Sequence, residues 1–293
     1  MTTRTAVITG AAGGLGQATA RRLLDAGFAV VAVTRDARSA EATLRELSDG
    51  RRTVHALHAD LLRRADVEAL AGRLRDTVER VDVLINNAGA AFPAYAETAD
   101  GVERTHALNH LAPFQLTHAL LAGGLLARDA RIIAVSSDLV SRGRLDAGDP
   151  DVTGSSWRGR FSQLPVYGTA KLLSLLATAA LAARLPAGMH AYSANPGVMR
   201  TGFHAKSGGL LRVLSAVSAM VAATPEKAAA TPVLLAAAAA PPTPNGGFFA
   251  KGAAVTPPKQ ARDAAAADAV YERTAAALGL SGLPAAPHRR RDV

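Results

Sequence analysis

The sequence predicts an α/β fold, a single domain built on a doubly wound parallel sheet of about seven strands with helices on both faces. Three observations carry this. Short β-branched, apolar runs alternate with helix-length segments along most of the chain. Several of these runs are apolar at nearly every position, as expected of strands covered on both faces. A glycine-rich turn, TGAAGGLG from Thr9 to Gly16, joins the first run to the first helical segment, the place where such sheets receive a phosphorylated ligand.

The elements follow in order. Strands are expected at residues 5–9, 29–34, 53–59, 81–86 and 131–136, separated by helices at 15–26, 39–48, 66–79 and 99–127. A polar, glycine-rich stretch, 138–164, precedes a helix that carries Tyr167 and continues to about Arg184. Residues 189–194 read as a sixth strand. Residues 198–223 are apolar and hinged at Gly202, Gly208 and Gly209, which suits a lid over a substrate. A helix from about Thr224 stops before Pro241, 247–250 read as a seventh strand, and 257–278 as a peripheral helix. The domain is expected to span 1–279, with 280–293 a disordered, proline-rich tail.

Composition removes several classes of function. The 293 residues suffice for one α/β domain with a large core. Cysteine is absent, which excludes a disulfide framework and a cysteine-based zinc site and suits a reducing compartment. The first residues run into a strand without the pattern of a signal peptide, so a cytoplasmic location is expected. The uncharged stretch 228–250 is broken by Pro232, Pro241, Pro242 and Pro244, so no membrane span is expected there. The net charge of +9 comes from scattered arginines without a nucleic-acid motif, and no nucleic-acid partner is expected. A modest positive field of this kind also attracts a phosphorylated cofactor. His55, His58 and Asp60, and His106 with His110, form incomplete ligand sets, so no metal is expected.

Two constellations carry chemistry. Tyr167 and Lys171 stand four residues apart on a helix, hence on one face about 5 to 6 Å apart. A unit charge about 4 Å from a phenol is worth roughly 4 kcal/mol at an effective dielectric of 20, or about three pKa units. That would bring the tyrosine near neutrality as a proton carrier. The second constellation is the turn itself, where Gly10, Gly14, Leu15 and Gly16 are candidates to cradle a pyrophosphate at a helix N-terminus. At the end of the second strand, where an acid commonly takes the ribose 2′-hydroxyl of NAD, the chain has Thr34 and Arg35. An arginine there pairs with a 2′-phosphate, which favours NADP(H); Asp36 could instead serve the ribose or neutralise Arg35. Phe92, Tyr95, Trp157 and Phe161 either line a substrate pocket or form a capping mini-core.

The glycine turn, Asn86-Asn87-Ala88-Gly89, Ser136-Ser137, Tyr167 with Lys171, and Pro196-Gly197 with Thr201 occur in this order. In this the chain resembles the short-chain dehydrogenase/reductase family, and through Thr34-Arg35-Asp36, Thr98-Ala99-Asp100-Gly101 leading to Asn109-His110-Leu111, Thr224-Pro225-Glu226 and Gly247-Phe248-Phe249 it more finely resembles the retinol-dehydrogenase-like and protochlorophyllide-reductase-like branches. The resemblance runs from Thr5 to about Ala250 and implies a Rossmann-type fold and an NADP(H)-dependent oxidoreductase acting on a small molecule. It implies that Asn87, Ala88 and Gly89 support the central strand and border the adenine ribose, and that Asp60 and Leu61 lie at the adenine. It further implies that Asn109 holds a water connected to the lysine, and that Ser137, with Ser136 as its neighbouring alternative, hydrogen-bonds the substrate oxygen. Pro196, Gly197, Val198 and Thr201 would close around the nicotinamide carboxamide. Tyr167 would donate the proton while Lys171 also holds the nicotinamide ribose. The favoured reaction interconverts a carbonyl and an alcohol on a small to medium apolar substrate. Reduction of a conjugated carbon–carbon double bond and a non-catalytic cofactor-sensing module are the alternatives. Ser137 and Tyr167 are about twice as far apart as is usual in the family, the excess lying in 138–164. Because such an insertion covers a dimerisation helix in related monomeric reductases, both a monomer and a homodimer remain open.

Overall fold

The structure is a computed structural model that describes residues 3–146, 148–197 and 223–284. One sheet runs through it in the order β3-β2-β1-β4-β5-β6-β7-β8. Its strands are β1 Thr5–Thr9, β2 Ala29–Thr34, β3 Val54–His58, β4 Val81–Asn86, β5 Leu126–Val135, β6 His190–Asn195, β7 Phe248–Ala250 and β8 Ala253–Val255. The first seven pair in parallel, and β8 returns antiparallel on β7. The sequence reading of about seven strands thus misses β8, whose three residues are exposed and too short a run to register as a strand.

The all-apolar runs do become strands covered on both faces. β1, β2 and β4 are buried at every position. On one side lie α1 (Gly14–Asp25), α2 (Ala37–Leu47), and the C-terminal pair α7 (Pro225–Ala228) and α8 (Ala230–Ala237), packed through Leu15, Leu23, Leu47, Val233 and Leu235. On the other lie α3 (Arg64–Thr77), α5 (Ala112–Ala122), α6 (Gln163–Ala182) and α9 (Ala264–Leu278), packed through Leu70, Leu74, Leu116, Leu172 and Val270. Each such leucine or valine taken out of water contributes about 1.5 to 3 kcal/mol, which is why the elements close over the sheet.

Three readings need correction. The helix expected at 99–127 is shorter and broken into α4 (Arg104–His106), a π-helical turn (Ala107–Leu111) and α5. Glu103 caps its start by accepting from the amides of Thr105 and His106, while Gly123 and Gly124, the latter at φ 65°, stop it before β5. The wide turn sits just before Pro113, which has no N–H to offer the Asn109 carbonyl. The helix expected to be peripheral, α9, is a core element. Val270, Tyr271 and Thr274 are fully buried; Tyr271 Oη lies 2.7 Å from His118 Nε2, and Thr274 Oγ1 lies 2.8 Å from His110 Nε2. Arg184 joins α6 to it through Asp268 and Glu272. The domain also runs past 279, because Leu280 and Leu283 pack against the core and Leu283 donates its amide to Tyr271 Oη. Among the described residues, α6 is the one helix apolar and long enough to cross a membrane, and 78% of its most apolar window is buried inside the molecule.

The first turn of the stretch 138–164 packs against α6. The stretch carries 3-10 turns at Asp138–Arg142 and Ser155–Trp157 and approaches α6 glycine to glycine: a methyl on Gly168 would lie 2.5 Å from Leu139 O and 3.0 Å from Gly143 N. Asp151 ties the middle of the stretch, accepting from the amides of Thr153, Gly154, Ser155 and Ser156.

Candidate active site

The strand order reverses between β1 and β4, and the site lies outside the carboxyl ends of these strands and of β5 and β6. The glycine turn sits at this reversal. Gly10 and Gly14 take the left-handed backbone, at φ 68° and 53°. Gly16 has no room for a side chain: a methyl there would collide with Gly10 O and lie 2.7 Å from Asn87 Nδ2. Asn87 supplies the other half of the joint, donating from Nδ2 to Thr9 O at 2.8 Å and to Gly10 O at 3.2 Å. The amides of Asn87 and Ala88 both donate to Thr9 Oγ1 at 3.0 Å. Thr9 therefore pins the two strand ends together, a role the sequence reading missed because a threonine ending a strand carries no distinguishing signal.

These residues fit a bound dinucleotide. The N-terminus of α1 has no side-chain cap, and a methyl on Gly13 would meet nothing within 4 Å, so the first-turn amides face an open approach. Unsatisfied amides at the positive end of a helix suit a pyrophosphate. Leu15 is buried beneath them in the core. At the end of β2, the Arg35 side chain is 82% exposed and its Nε lies 3.5 Å from Asp36 Oδ2. The Asp36 carboxylate is engaged elsewhere, capping α2 by accepting from Ser39 N at 2.8 Å, and that bond holds it below its ordinary pKa. Asp60 follows β3, where its Oδ1 accepts from Leu62 N at 3.1 Å and shapes the turn that also carries Leu61.

The reactive groups converge from three elements, α6, the π-helical turn and the turn after β5. Lys171, 4% exposed, donates from Nζ to Val135 O at 2.8 Å, and its ammonium stands 5.8 Å from the centre of the Tyr167 ring. Asn109 sits in the π-helical turn, its Nδ2 donating to Ala90 O and Thr105 O, both at 2.8 Å. With both amide hydrogens so used, its Oδ1 faces Gly89, where a methyl would lie 2.6 Å from that oxygen and 3.3 Å from Lys171 Nζ. Gly89 is therefore the spacer that lets asparagine and lysine share one pocket. Ser137 caps the 3-10 turn after β5, its Oγ accepting from Leu139 N at 3.2 Å, and its hydroxyl hydrogen-bonds Tyr167. Ser136 Oγ is buried. Ala91, Leu139 and Leu164 wall Tyr167 with apolar surface.

Burial governs the electrostatics. It pushes the Lys171 ammonium down to about 8, still mostly charged at neutral pH. It also raises the Tyr167 phenol above its ordinary value, with only the Ser137 hydroxyl acting to lower it. The lowering of tyrosine by lysine expected from the i, i+4 spacing is therefore not seen in this enclosed arrangement, where desolvation of the phenolate dominates.

Pro196 and Gly197 follow β6, Gly197 at φ 74°; Val198, Thr201 and nearly all of the expected lid at 198–223 lie outside the described residues. Of the aromatic residues, Tyr95 meets Phe161 edge-on at 6.5 Å, Arg104 lies 4.1 Å over Phe92, and Trp157 is buried. His106 and His110 bond different protein partners. His106 Nδ1 bonds Glu103 Oε2 and His110 Nε2 bonds Thr274, while burial pushes His110 down to about 3.

The family model "short chain dehydrogenase" matches residues 4–145. "Putative daunorubicin C-13 ketoreductase DnrU" of Streptomyces sp. (strain C5) is 38% identical over 205 residues, covering 68% of this chain and 67% of that protein. Human "Retinol dehydrogenase 13" is 33% identical over 202 residues, covering 68% of this chain and 60% of its own length. The solved structure "Short-chain dehydrogenase from Sphingobium yanoikuyae in complex with NADPH" superposes with a TM-score of 0.60 at 27% identity, over 79% of this chain and 83% of that one. A glycine turn pinned by Thr9 and Asn87, a serine, tyrosine and lysine gathered at the sheet's carboxyl edge, and these matches together place the chain in the short-chain dehydrogenase/reductase family.

Proposed function

We propose that the protein interconverts a carbonyl and an alcohol on a small to medium apolar substrate, with NADP(H) as cofactor. The observation that carries this is the enclosed group of Ser137, Tyr167, Lys171 and Asn109 beside an apolar wall of Ala91, Leu139 and Leu164. The cofactor supplies or accepts the hydride. Gly10, Gly14, Leu15, Gly16 and the α1 amides hold its pyrophosphate, and Asp60, Leu61, Asn87, Ala88 and Gly89 border its adenosine half. Pro196, Gly197, Val198 and Thr201 border the nicotinamide. Exposed Arg35 takes the 2′-phosphate, a reading supported by the commitment of Asp36 to the α2 cap.

Ser137 orients the substrate oxygen. Its Oγ accepts from Leu139 N, and its hydroxyl, which hydrogen-bonds Tyr167 in this structure, turns its hydrogen to the substrate oxygen when substrate enters. Tyr167 Oη gives the proton to the oxygen in reduction and takes it in oxidation. Lys171, charged and buried, stabilises the phenolate that this leaves, and Asn109 Oδ1 on the Gly89 side supports proton return toward the lysine. A ketoreductase name among the relatives agrees with the carbonyl as the reacting group.

The test incubates the purified protein with NADPH and a panel of apolar ketones, aldehydes and conjugated enones, and identifies products by mass spectrometry. Alcohols are expected. Tyr167→Phe should retain NADPH binding and lose at least the ~100-fold in turnover typical of removing a general acid. Saturated ketones formed from enones would replace this reading with reduction of the carbon–carbon bond, and turnover near normal in the phenylalanine variant would refute the role of Tyr167.

A further inference from the structure

β5 and β6 pair as far as Val135 and Ala194, and Ser136 N still reaches Ala194 O at 2.8 Å. Beyond this point the chains part. Ser137 leads into the 3-10 turn Asp138–Arg142, and Asn195 leads into Pro196 and Gly197. Asn195, 5% exposed, bridges the gap: its Nδ2 donates to Asp138 Oδ1 at 2.6 Å, and its Oδ1 accepts from Gly197 N at 3.0 Å. Asp138 is the residue after Ser137, and its carbonyl also accepts from Ser141 Oγ within the turn.

We infer that Asn195 and Asp138 are positioning residues that lock the substrate-orienting serine and the nicotinamide-side turn into one body. The inference rests on the reading of Ser137 and Gly197 proposed above. An amide side chain makes this tie because it donates to one wall and accepts from the other at the same moment. The carboxylate acceptor makes the cross-strand bond charge-assisted, hence short and strong. The distance between the Ser137 hydroxyl and the plane of the nicotinamide is the coordinate on which hydride transfer depends, and an error of about 1 Å in such a coordinate can cost on the order of 100-fold. Releasing Asp138 frees Asn195, and freed Asn195 no longer holds Gly197.

Two readouts test this on the full chain. The first needs no activity: amide exchange at Gly197, followed by NMR in the unliganded protein. It should accelerate in Asp138→Ala and Asn195→Ala and return to the wild-type rate in Asp138→Asn, whose carbonyl can still accept from Asn195. Unchanged exchange at Gly197 in Asp138→Ala overturns the lock, whether or not any substrate turns over. The second is kinetic. Asp138→Ala should lower kcat about tenfold and leave KM for NADPH within about twofold, and adding Asn195→Ala should cost nothing further. Additive losses, or a change confined to KM, overturn the positioning role. A wild-type protein with no turnover on any carbonyl refutes the proposed function, a failure separate from that of the exchange experiment.

Discussion

Replacing Gly16 by alanine tests the glycine turn more sharply than removing any polar side chain. The added methyl would overlap Gly10 O and lie 2.7 Å from Asn87 Nδ2 and 3.0 Å from Ala11 Cα, whereas real side-chain carbons essentially never come within 3.0 Å of such atoms. None of these neighbours can step aside cheaply. Gly10 O and Ala11 Cα are backbone, and Asn87 Nδ2 is held by its bonds to Thr9 O and Gly10 O. Overpacking of this kind costs about 1 to 3 kcal/mol, and losing one Asn87 bond adds about 1 kcal/mol, so a destabilisation of about 2 to 4 kcal/mol is expected. Gly13→Ala is the control, since its φ of 172° is extended backbone and a methyl there meets nothing within 4 Å. Urea unfolding of the unliganded proteins should place Gly13→Ala within about 0.5 kcal/mol of wild type and Gly16→Ala well below it, with similar m-values. NADPH titration, followed by its fluorescence, should show a loss of at least about tenfold in affinity for Gly16→Ala as the turn is displaced. A Gly16→Ala protein as stable as the Gly13→Ala control would refute the packing argument, and one with undiminished NADPH affinity would refute the assignment of the turn to the pyrophosphate.

Two further outcomes follow from charges. Arg35→Ala should raise KM for NADPH about tenfold and leave that for NADH nearly unchanged, because only NADPH offers a 2′-phosphate; equal effects on both cofactors would remove Arg35 from the site. Burial alone would raise the Asp151 carboxyl, but the hydrogen bonds from Ser156 and Thr153 together hold it below its ordinary value of 3.8. A depressed folded-state pKa stabilises the fold above the unfolded value, and that contribution is lost as pH falls below 3.8 through the folded value. Asp151→Asn should therefore be less stable than wild type by about 1 to 2 kcal/mol at pH 7, with the gap narrowing below pH 3.8. A gap independent of pH in urea titrations would show that the charge of Asp151 is not what the loop amides hold.

The sequence by itself determined seven of the eight strands and the glycine turn, and it named the candidate reactive group. β1, β2 and β4 were legible because a strand buried on both faces is apolar at most positions, and Gly10, Gly14 and Gly16 because only glycine permits the turn and the close approach of Asn87. Tyr167 and Lys171 were legible because helical spacing is local. What only the tertiary structure decided depends on residues distant in the chain. The sequence could not show that Thr9 and Asn87 close one joint, that Lys171 Nζ rests on the Val135 carbonyl, or that Gly89 separates it from Asn109. Backbone carbonyls carry no residue signature, and the partners stand 78, 36 and 20 residues apart. The burial of Tyr167 belongs to the same class. The i, i+4 spacing places a positive charge near the phenol, but the desolvation that opposes it comes from Ala91, Leu139 and Leu164, brought there by three separate elements. Likewise α9 reads as peripheral because its alanines fit any helix surface, and it becomes core because Tyr271 and Thr274 meet His118 and His110 across the fold.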